Sequence, residues 1–312
     1  RSGRLRPATV ARYSSYYKNH LSPWANRTIE ELGRSKKEIR ELHERLTNTS
    51  GWASANGTIQ LLRCCYKKAL KLEDGLLANP CDAVELNKEI VRDTAMDQGD
   101  LRFWWTKVMG LFSPVKRAYW LIVALTGGRR TQIASARWTE INFESRVWNF
   151  PDEHCKAGRG YEIPLSNFTI SFLKEWRRYV SKYRPDSPFL FPGKSGNGCL
   201  SKPRNDKQGI TISAHPLRHT WETAGVSVGL TEMEALLLLG HSLKASKMNH
   251  RYVTRAKIDM ASLAKRQEAM TAFFLKALGI RPHSIQHIIW SKVDRGAWKE
   301  TVKATPCLRK AS

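Results

Sequence analysis

Four short stretches of the sequence hold residue types suited to phosphate chemistry: GGRR at 127–130, HPLRH at 215–219, LGHS at 239–242 and HRYVTR at 250–255. Attack on a phosphodiester needs a nucleophile, stabilisation of charge on the non-bridging oxygens, and a proton for the leaving oxygen. Guanidinium groups suit the second task because their forked donors fit phosphate oxygens and stay charged at neutral pH. The set predicts Tyr252 as a nucleophile assisted by arginines and histidines.

Each motif also has an ordinary structural explanation. Tyr252 alone fits a half-buried core residue, and ionising a phenol of pKa about 10 costs about 4 kcal/mol at pH 7. A nearby pair of arginines could recover much of that cost. Arg129 follows two glycines, which let the backbone approach a ligand closely, but an exposed arginine at a helix start fits the same pattern. Arg130 competes with it for the same role.

The HPLR stretch predicts a helix start that carries two site residues. Pro216 suits the first turn, which places His215 at the cap. The spacing sets His215 and Arg218 on one face, and the helix N-terminus adds donors that favour an anion. His219 is predicted to be a packing residue.

Lys156 lies in the predicted turn between two strands, INFESRVWNF and YEIPL. A lysine there could protonate a departing 5′ oxygen. Standing alone, such a lysine is more often a solvated turn residue. A metal site formed by His154 and Cys155 is disfavoured, and the sequence has neither a CxxC pair nor a convincing carboxylate cluster. We therefore predict no metal and no cofactor.

The chain divides by pattern into three parts. Residues 1–94 read as a helical DNA-binding domain, residues 95–280 as a mixed domain, and residues 281–312 as a loosely ordered basic tail. The polar stretch 86–100 reads as the linker. The predicted fold class is mainly α with a small antiparallel β-sheet. Helix caps are predicted at Thr28 and at Thr231, the latter with Glu234 in a capping box.

The charge balance favours a polyanionic partner. Lys and Arg number 52 against 28 Asp and Glu, a formal net charge of +24 spread along the chain. An acidic membrane surface is the alternative, but no basic amphipathic anchor and no apolar run of about 18 residues is evident. The predicted phosphate contacts are Arg12, Arg63, Lys67, Lys68, Lys71, Arg130 and Arg159.

Two features of the sequence bear on its origin. The six cysteines fit reduced intracellular thiols. The chain begins RSGRLRPATV, with neither an initiator Met nor a secretory core, so we expect a piece that lacks its true N-terminus.

Taken together, the motifs resemble the tyrosine recombinase family, and phage-type integrases in particular. LTGGRRTQIASARWTEIN resembles the segment of the first catalytic arginine and gives Arg129, CKAGRGYEIPLS resembles the catalytic lysine hairpin and gives Lys156, and HPLRHTWET resembles the His-x-x-Arg box. LGHS and HRYVTR are similar to the segments of the last histidine and the nucleophile. The catalytic set that the resemblance implies is Arg129, Lys156, His215, Arg218, His241 and Tyr252. One departure is Gln132, which stands where the family usually has an acidic residue that helps to organise the site.

The resemblance also implies a mechanism and an assembly. Tyr252 would form a 3′-phosphotyrosyl link and release a 5′-hydroxyl, without ATP or metal. A helical domain and a catalytic domain would form a clamp around double-stranded DNA, and four protomers would recombine two sites through a Holliday junction, with an accessory bending or directionality factor as a further partner. The expected location is the cytoplasm of a bacterial host, if the chain is phage-encoded.

Three matters stay open at the level of sequence. A type IB topoisomerase-like enzyme would use the same chemistry without strand exchange, and a non-catalytic DNA-binding relative would keep only the fold. The helix after Tyr252 could pack between protomers through an apolar face: Met260, Leu263, Phe273, Phe274 and Leu278.

Overall fold

The structure is a computed structural model that describes residues 5–89, 94–155, 158–194, 198–201, 203, 214–241 and 259–291. By its contacts the chain divides into two compact units, Arg1–Arg92 and Asp93–Ser312. Each unit has its own buried apolar cluster. Each is described by itself below.

The first unit is helical. Its helices are α1 (Pro7–Tyr16), α2 (Ile29–Arg34), α3 (Lys36–Ser50) and α4 (Trp52–Ala69). The predicted cap at Thr28 is present as a full capping box, in which Thr28 accepts from the backbone of Glu31 and the Glu31 carboxylate accepts from the backbone of Thr28.

The apolar stripes of α3 and α4 face each other and form the core of this unit. Ile39 and Ile59 are fully buried, and Tyr66 donates from its hydroxyl to the carbonyl of Leu77 at 3.0 Å. The chain then continues through a short 3-10 turn, Pro80–Ala83, whose Cys81 is also fully buried. The unit therefore extends past the Asn79–Pro80 pair instead of ending there.

The second unit holds eight helices and one sheet in its described part. The helices are α5 (Gln98–Met109), α6 (Pro114–Thr126), α7 (Arg130–Ala134), α8 (Asn167–Tyr183), α9 (Ala214–Ser227), α10 (Glu232–Leu238), α11 (Met260–Leu278) and α12 (Ile285–Trp290). Helix α5 begins inside the predicted linker, because Asp97 caps it by accepting from the backbone of Asp100 at 2.7 Å.

The sheet has three antiparallel strands in sequence order: β1 (Ile141–Asn142), β2 (Val147–Phe150) and β3 (Tyr161–Pro164). The prediction of one strand over INFESRVWNF was wrong, since that stretch is itself a hairpin. The Asn142 side chain accepts from the backbone of Glu144 and Ser145, and Arg146 takes a left-handed conformation with φ 56°. A mainly α fold with a small antiparallel sheet is confirmed.

Helix α6 lies at the centre of this unit, with every residue from Arg117 to Thr126 buried. The last carbonyls of a helix lack intrahelical partners, so a buried helix end needs donors from elsewhere. Here the carbonyl of Leu125 accepts from Gln267 of α11 at 2.9 Å and from Trp221 of α9 at 3.3 Å. Two long helices are thereby fixed to the end of α6 that leads into GGRR.

Helix α11 packs by its apolar face within its own unit, and a contact of this helix between protomers stays a prediction. Leu263, Phe274 and Leu278 are buried against the rest of the second unit. Met260 and Phe273 are partly buried against the same core.

The prediction of a loosely ordered tail over 281–312 was wrong for the first part of that segment. Residues Ile285–Trp290 form α12, with Ile288 and Ile289 buried, because the apolar IQHIIW stretch packs against α6 and α8. The fully buried guanidinium of Arg117 on α6 donates to the carbonyls of Leu111, Ile288, Ile289 and Ser291, at 2.8, 3.1, 3.4 and 2.8 Å.

Arg117→Ala is expected to destabilise the second unit by about 3 kcal/mol or more, because several buried carbonyls lose their donor. The exposed Arg178→Ala, which loses only a surface ion pair with Glu175, should cost less than about 1 kcal/mol. Urea unfolding followed by tryptophan fluorescence measures both, since all of the 11 tryptophans except Trp24 and Trp52 lie after residue 93. Equal small losses would contradict the role given to Arg117.

Candidate active site

The GGRR stretch forms the turn that places Arg129. Gly127 ends α6 in a left-handed conformation, φ 60°, and a Cβ there would lie 2.7 Å from Leu239 Cδ2 and 2.8 Å from Trp221 Cγ. Only glycine meets both demands without a shift of its neighbours. Arg129 then follows as the half-buried N-cap of α7 in an extended conformation.

Helix α9 carries the HPLR residues, with a different start from the one predicted. The helix begins at Ala214, so His215 lies in its first turn and not at the cap. The His215 ring is exposed and meets the half-buried His219 ring edge-to-face at 5.7 Å. One turn later Arg218 is only 7% exposed, so its guanidinium is directed into the unit.

Helix α10 places the LGHS residues. The predicted capping box of Thr231 and Glu234 is present at its start. At its end Gly240 turns the chain with φ 63°, and the backbone N–H of His241 donates to the carbonyl of Leu236 at 2.8 Å. This turn leaves the carbonyl of Leu239 as an acceptor for side chains from other elements.

Two of the predicted catalytic residues meet at that carbonyl, and a third contacts one of them. Arg218 Nη2 donates to Leu239 O at 2.8 Å, and Arg129 Nη1 donates to the same oxygen at 3.4 Å. Arg218 Nη2 also lies 2.7 Å from Nε2 of His241, and Arg218 Nη1 donates to Gly127 O at 2.9 Å. The structure thus brings together Arg129, Arg218 and His241 from three separate motifs.

Burial and the two arginines keep the His241 ring neutral. Burial lowers the pKa of His241 to about 4, and the charges of Arg218 and Arg129 act in the same direction. A guanidinium has donors only, so Nε2 of His241 accepts and the ring is neutral with its proton on Nδ1. Burial, then the charge of Arg129, lowers the pKa of Arg218 to about 10, so Arg218 remains charged at neutral pH.

The cluster carries excess positive charge. Glu222 approaches Arg218 only at 3.9 Å, and its side chain is 38% exposed. Two guanidinium groups against one distant carboxylate leave a local charge that an anion would balance. Phosphate is the anion that the forked donors fit best.

Sequence reasoning missed one supporting residue, Tyr161 of β3. Its hydroxyl donates to Gln132 Oε1 at 3.3 Å, and Gln132 Nε2 donates to Cys155 Sγ at 3.4 Å. Gln132 is 1% exposed, so the position where the family usually has an acid is occupied by a bonded amide. The only sequence signal for Tyr161 was the alternation of side chains along YEIPL, which places Tyr161 and Ile163 on the same face of the strand.

Among the residues that the structure describes, the other predicted site residues do not join this cluster. Lys156 and Tyr252 lie outside the described residues. Arg63 binds the turn that follows α4, through Cys81 O at 2.7 Å and Asp82 at 3.1 Å. The other predicted phosphate contacts are exposed: Arg12, Lys67, Lys68, Lys71, Arg130 and Arg159.

Two kinds of feature are absent from the described residues. No group of three or more His, Cys, Asp or Glu side chains there is arranged to hold a metal ion. No helix in the described ranges is long and apolar enough to cross a membrane.

We expect the His241 ring to titrate near pH 4, far below the usual value of about 6.5. The unfolded chain therefore takes up a proton between these two values that the folded chain does not, so the contribution of His241 to stability is lost as the pH falls through this window. NMR of histidine-labelled protein measures the titration, with the signal assigned by its absence in His241→Gln. A ring that titrates near 6.5 would contradict the buried contact with Arg218.

Comparison with known proteins places this site in a family. The sequence model of the phage integrase family matches residues 112–258, which include every one of the predicted catalytic positions. Prophage integrase IntF of Escherichia coli K12 is 25% identical over 195 residues, or 60% of this chain, and the chain spans only about 40% of that relative. Tyrosine recombinase XerA of Pyrococcus horikoshii is 24% identical over 80% of this chain and 85% of its own length.

The fold is shared with a solved integrase. The lambda integrase tetramer bound to a Holliday junction superimposes with a TM-score of 0.63 at 17% identity, over 83% of this chain and 76% of that chain. At this identity the likeness concerns the fold. With the recombinase relatives, the sequence match shows that residues 112–258 form a domain of the phage integrase family of tyrosine recombinases.

Proposed function

We propose that this chain is a site-specific DNA recombinase that cleaves and rejoins DNA strands through a 3′-phosphotyrosyl intermediate. The observation that carries the proposal is the meeting of Arg129 and Arg218 at one carbonyl, with His241 in contact with Arg218. The family domain that contains these residues also contains Tyr252. The names of the relatives, integrases and recombinases, support recombination over DNA relaxation.

The arginine pair, Arg129 and Arg218, is the proposed binding site of the scissile phosphate. Arg218 is held by two carbonyls and a neutral ring, so it is pre-organised and its charge is not cancelled. Among the described residues, the Arg129 side chain makes one long hydrogen bond, 3.4 Å, so its other donors can bind a ligand. Charge that develops on the non-bridging oxygens would meet fixed donors, and donors held in advance in this way supply much of the rate enhancement of many enzymes.

The proton transfers are assigned to the remaining residues. Tyr252 attacks phosphorus, the bond from phosphorus to the 5′ oxygen breaks, and Lys156 gives that oxygen its proton. His215, exposed at the start of α9, accepts the phenolic proton of Tyr252 during the attack and returns it when Tyr252 leaves. The 5′-hydroxyl of a partner strand then attacks the phosphotyrosine, and Tyr252 leaves as a phenol. No step needs ATP, because the tyrosyl ester conserves the energy of the broken bond.

Double-stranded DNA is the proposed partner. The net charge of +24 and the exposed Arg12, Lys67, Lys68 and Lys71 of the first unit support phosphate contacts outside the catalytic domain. Arg130 and Arg159 are exposed in the catalytic unit and are assigned the same role. Arg63 is assigned instead to holding the turn that follows α4.

The assembly on DNA follows the solved relative. The lambda integrase structure is a tetramer bound to a Holliday junction, which supports a tetramer that clamps DNA for this chain also. An accessory bending or directionality factor is part of the same proposal.

A nicked DNA substrate that traps the cleaved state is expected to give a covalent protein–DNA adduct in the presence of EDTA. Tyr252→Phe should give none, because phenylalanine has no oxygen to attack phosphorus. Denaturing electrophoresis of labelled DNA measures the adduct.

The matched control is Tyr183→Phe, a tyrosine that is 52% exposed on α8. It should form the adduct at the rate of the unaltered protein. An adduct that persists in Tyr252→Phe, or one that requires Mg²⁺, would contradict the proposal.

A further inference from the structure

One tyrosine contacts two of the elements that build the site. Tyr161 lies on β3, its hydroxyl reaches α7, and its ring lies against the turn after α10. We propose that Tyr161 is a positioning residue that fixes the Gly240 turn, and through it the Leu239 carbonyl and the His241 ring. The inference rests on the proposed function, since it concerns the residues assigned there to phosphate binding.

The contact between Tyr161 and Gly240 is close. A Cβ added to Gly240 would overlap the Tyr161 ring at Cζ and at both Cε atoms. Gly240 also has φ 63°, so glycine is required there by conformation as well as by space. The ring therefore bounds the path that the chain can take between Leu239 and His241.

The position of the ring is itself fixed on two sides. Phe150 of β2 stacks on it, with centroids 4.7 Å apart and planes at 19°, and the two residues are register partners across the strands. Its hydroxyl donates to Gln132 Oε1 at 3.3 Å. Tyr161 is 6% exposed, so this arrangement is sheltered from solvent.

Gln132 connects Tyr161 to the arginine turn. It lies three residues after Arg129 on α7, and its Nε2 donates to Cys155 Sγ at 3.4 Å. A neutral amide can accept from one partner and donate to the other, which a carboxylate cannot do. The pair of Gln132 and Tyr161 thus joins α7, the β2–β3 hairpin and the α10 turn.

Tyr161 must stay protonated to act in this way. Burial raises the pKa of its phenol, against the opposing influence of Arg218 and Arg129, and a protonated hydroxyl is what donates to Gln132. The role is therefore structural support of the site, and Tyr161 is distinct from the proposed nucleophile Tyr252.

The consequence of moving the turn is measurable at His241. Three groups act on that ring or on its turn: Arg218 from α9, Arg129 from the start of α7 and Tyr161 from β3. If the turn loosens, the ring gains water and loses its contact with Arg218. Its titration would then move back toward the ordinary value of about 6.5.

The test compares Tyr161→Phe and Gln132→Met with the unaltered protein. Both variants keep the packing volume and remove the hydrogen bond that anchors the ring. NMR should show the His241 titration raised by about one pH unit or more, without any DNA present. With a nicked substrate, the cleavage rate should fall roughly tenfold to a hundredfold while DNA affinity stays the same, because only positioning is changed.

Tyr66→Phe is the matched control, because Tyr66 is 1% exposed and loses one hydrogen bond, to Leu77 O, in the first unit. The midpoint of its thermal unfolding should fall about as far as that of Tyr161→Phe. Its His241 titration and its cleavage rate should be unchanged. An unchanged His241 titration and cleavage rate in both Tyr161→Phe and Gln132→Met would overturn the inference. A shifted titration in a protein that forms no adduct would support the positioning role and refute the proposed function.

Discussion

A single backbone carbonyl, that of Leu239, holds two like-charged guanidinium groups in one place. Arg218 and Arg129 both donate to it, and Arg218 reaches the His241 ring from the same position. Like charges at short range repel, so such a pair persists only where fixed acceptors over-determine its geometry. The acceptors here are backbone carbonyls and the neutral ring of His241, which carry no charge and leave the positive charge available to a ligand.

The rest of the second unit can be understood as the support of that carbonyl. Helix α6 runs through the centre and ends at Gly127, whose own carbonyl accepts from Arg218. Gln267 and Trp221 donate to the carbonyl of Leu125, two residues before Gly127. Near the start of the same helix, Arg117 donates to a carbonyl of α12. Arg117 therefore lies near the start of one buried helix, and the arginine cluster lies at its end.

The residues of the arginine cluster could be predicted because each is a side chain of a type that the motifs specify. Arg129, Arg218 and His241 lie in recognisable motifs, and the capping boxes at Thr28 and Thr231 have a local signal that the structure confirms. The meeting point was not predictable, since a backbone carbonyl such as that of Leu239 has no sequence signature.

Other features of the second unit were not predicted, and each omission has a physical reason. The hairpin within INFESRVWNF depends on one Asn142 side chain and the left-handed Arg146, which the strand pattern does not predict. Helix α12 is short and flanked by basic residues, so its burial against Arg117 is decided by tertiary contacts. The support given by Tyr161 depends on a contact between distant segments, and only the inward side of its strand could be anticipated.

The central claim is that the arginine pair neutralises the charge of a scissile phosphate. The most direct measurement uses DNA in which a methylphosphonate, which lacks that negative charge, replaces the scissile phosphate. Arg218→Ala should fail to cleave ordinary DNA yet recover cleavage of the methylphosphonate, whereas the exposed Arg178→Ala should cleave ordinary DNA as the unaltered protein does. Arg218→Ala that remains equally inactive on both substrates would contradict the account.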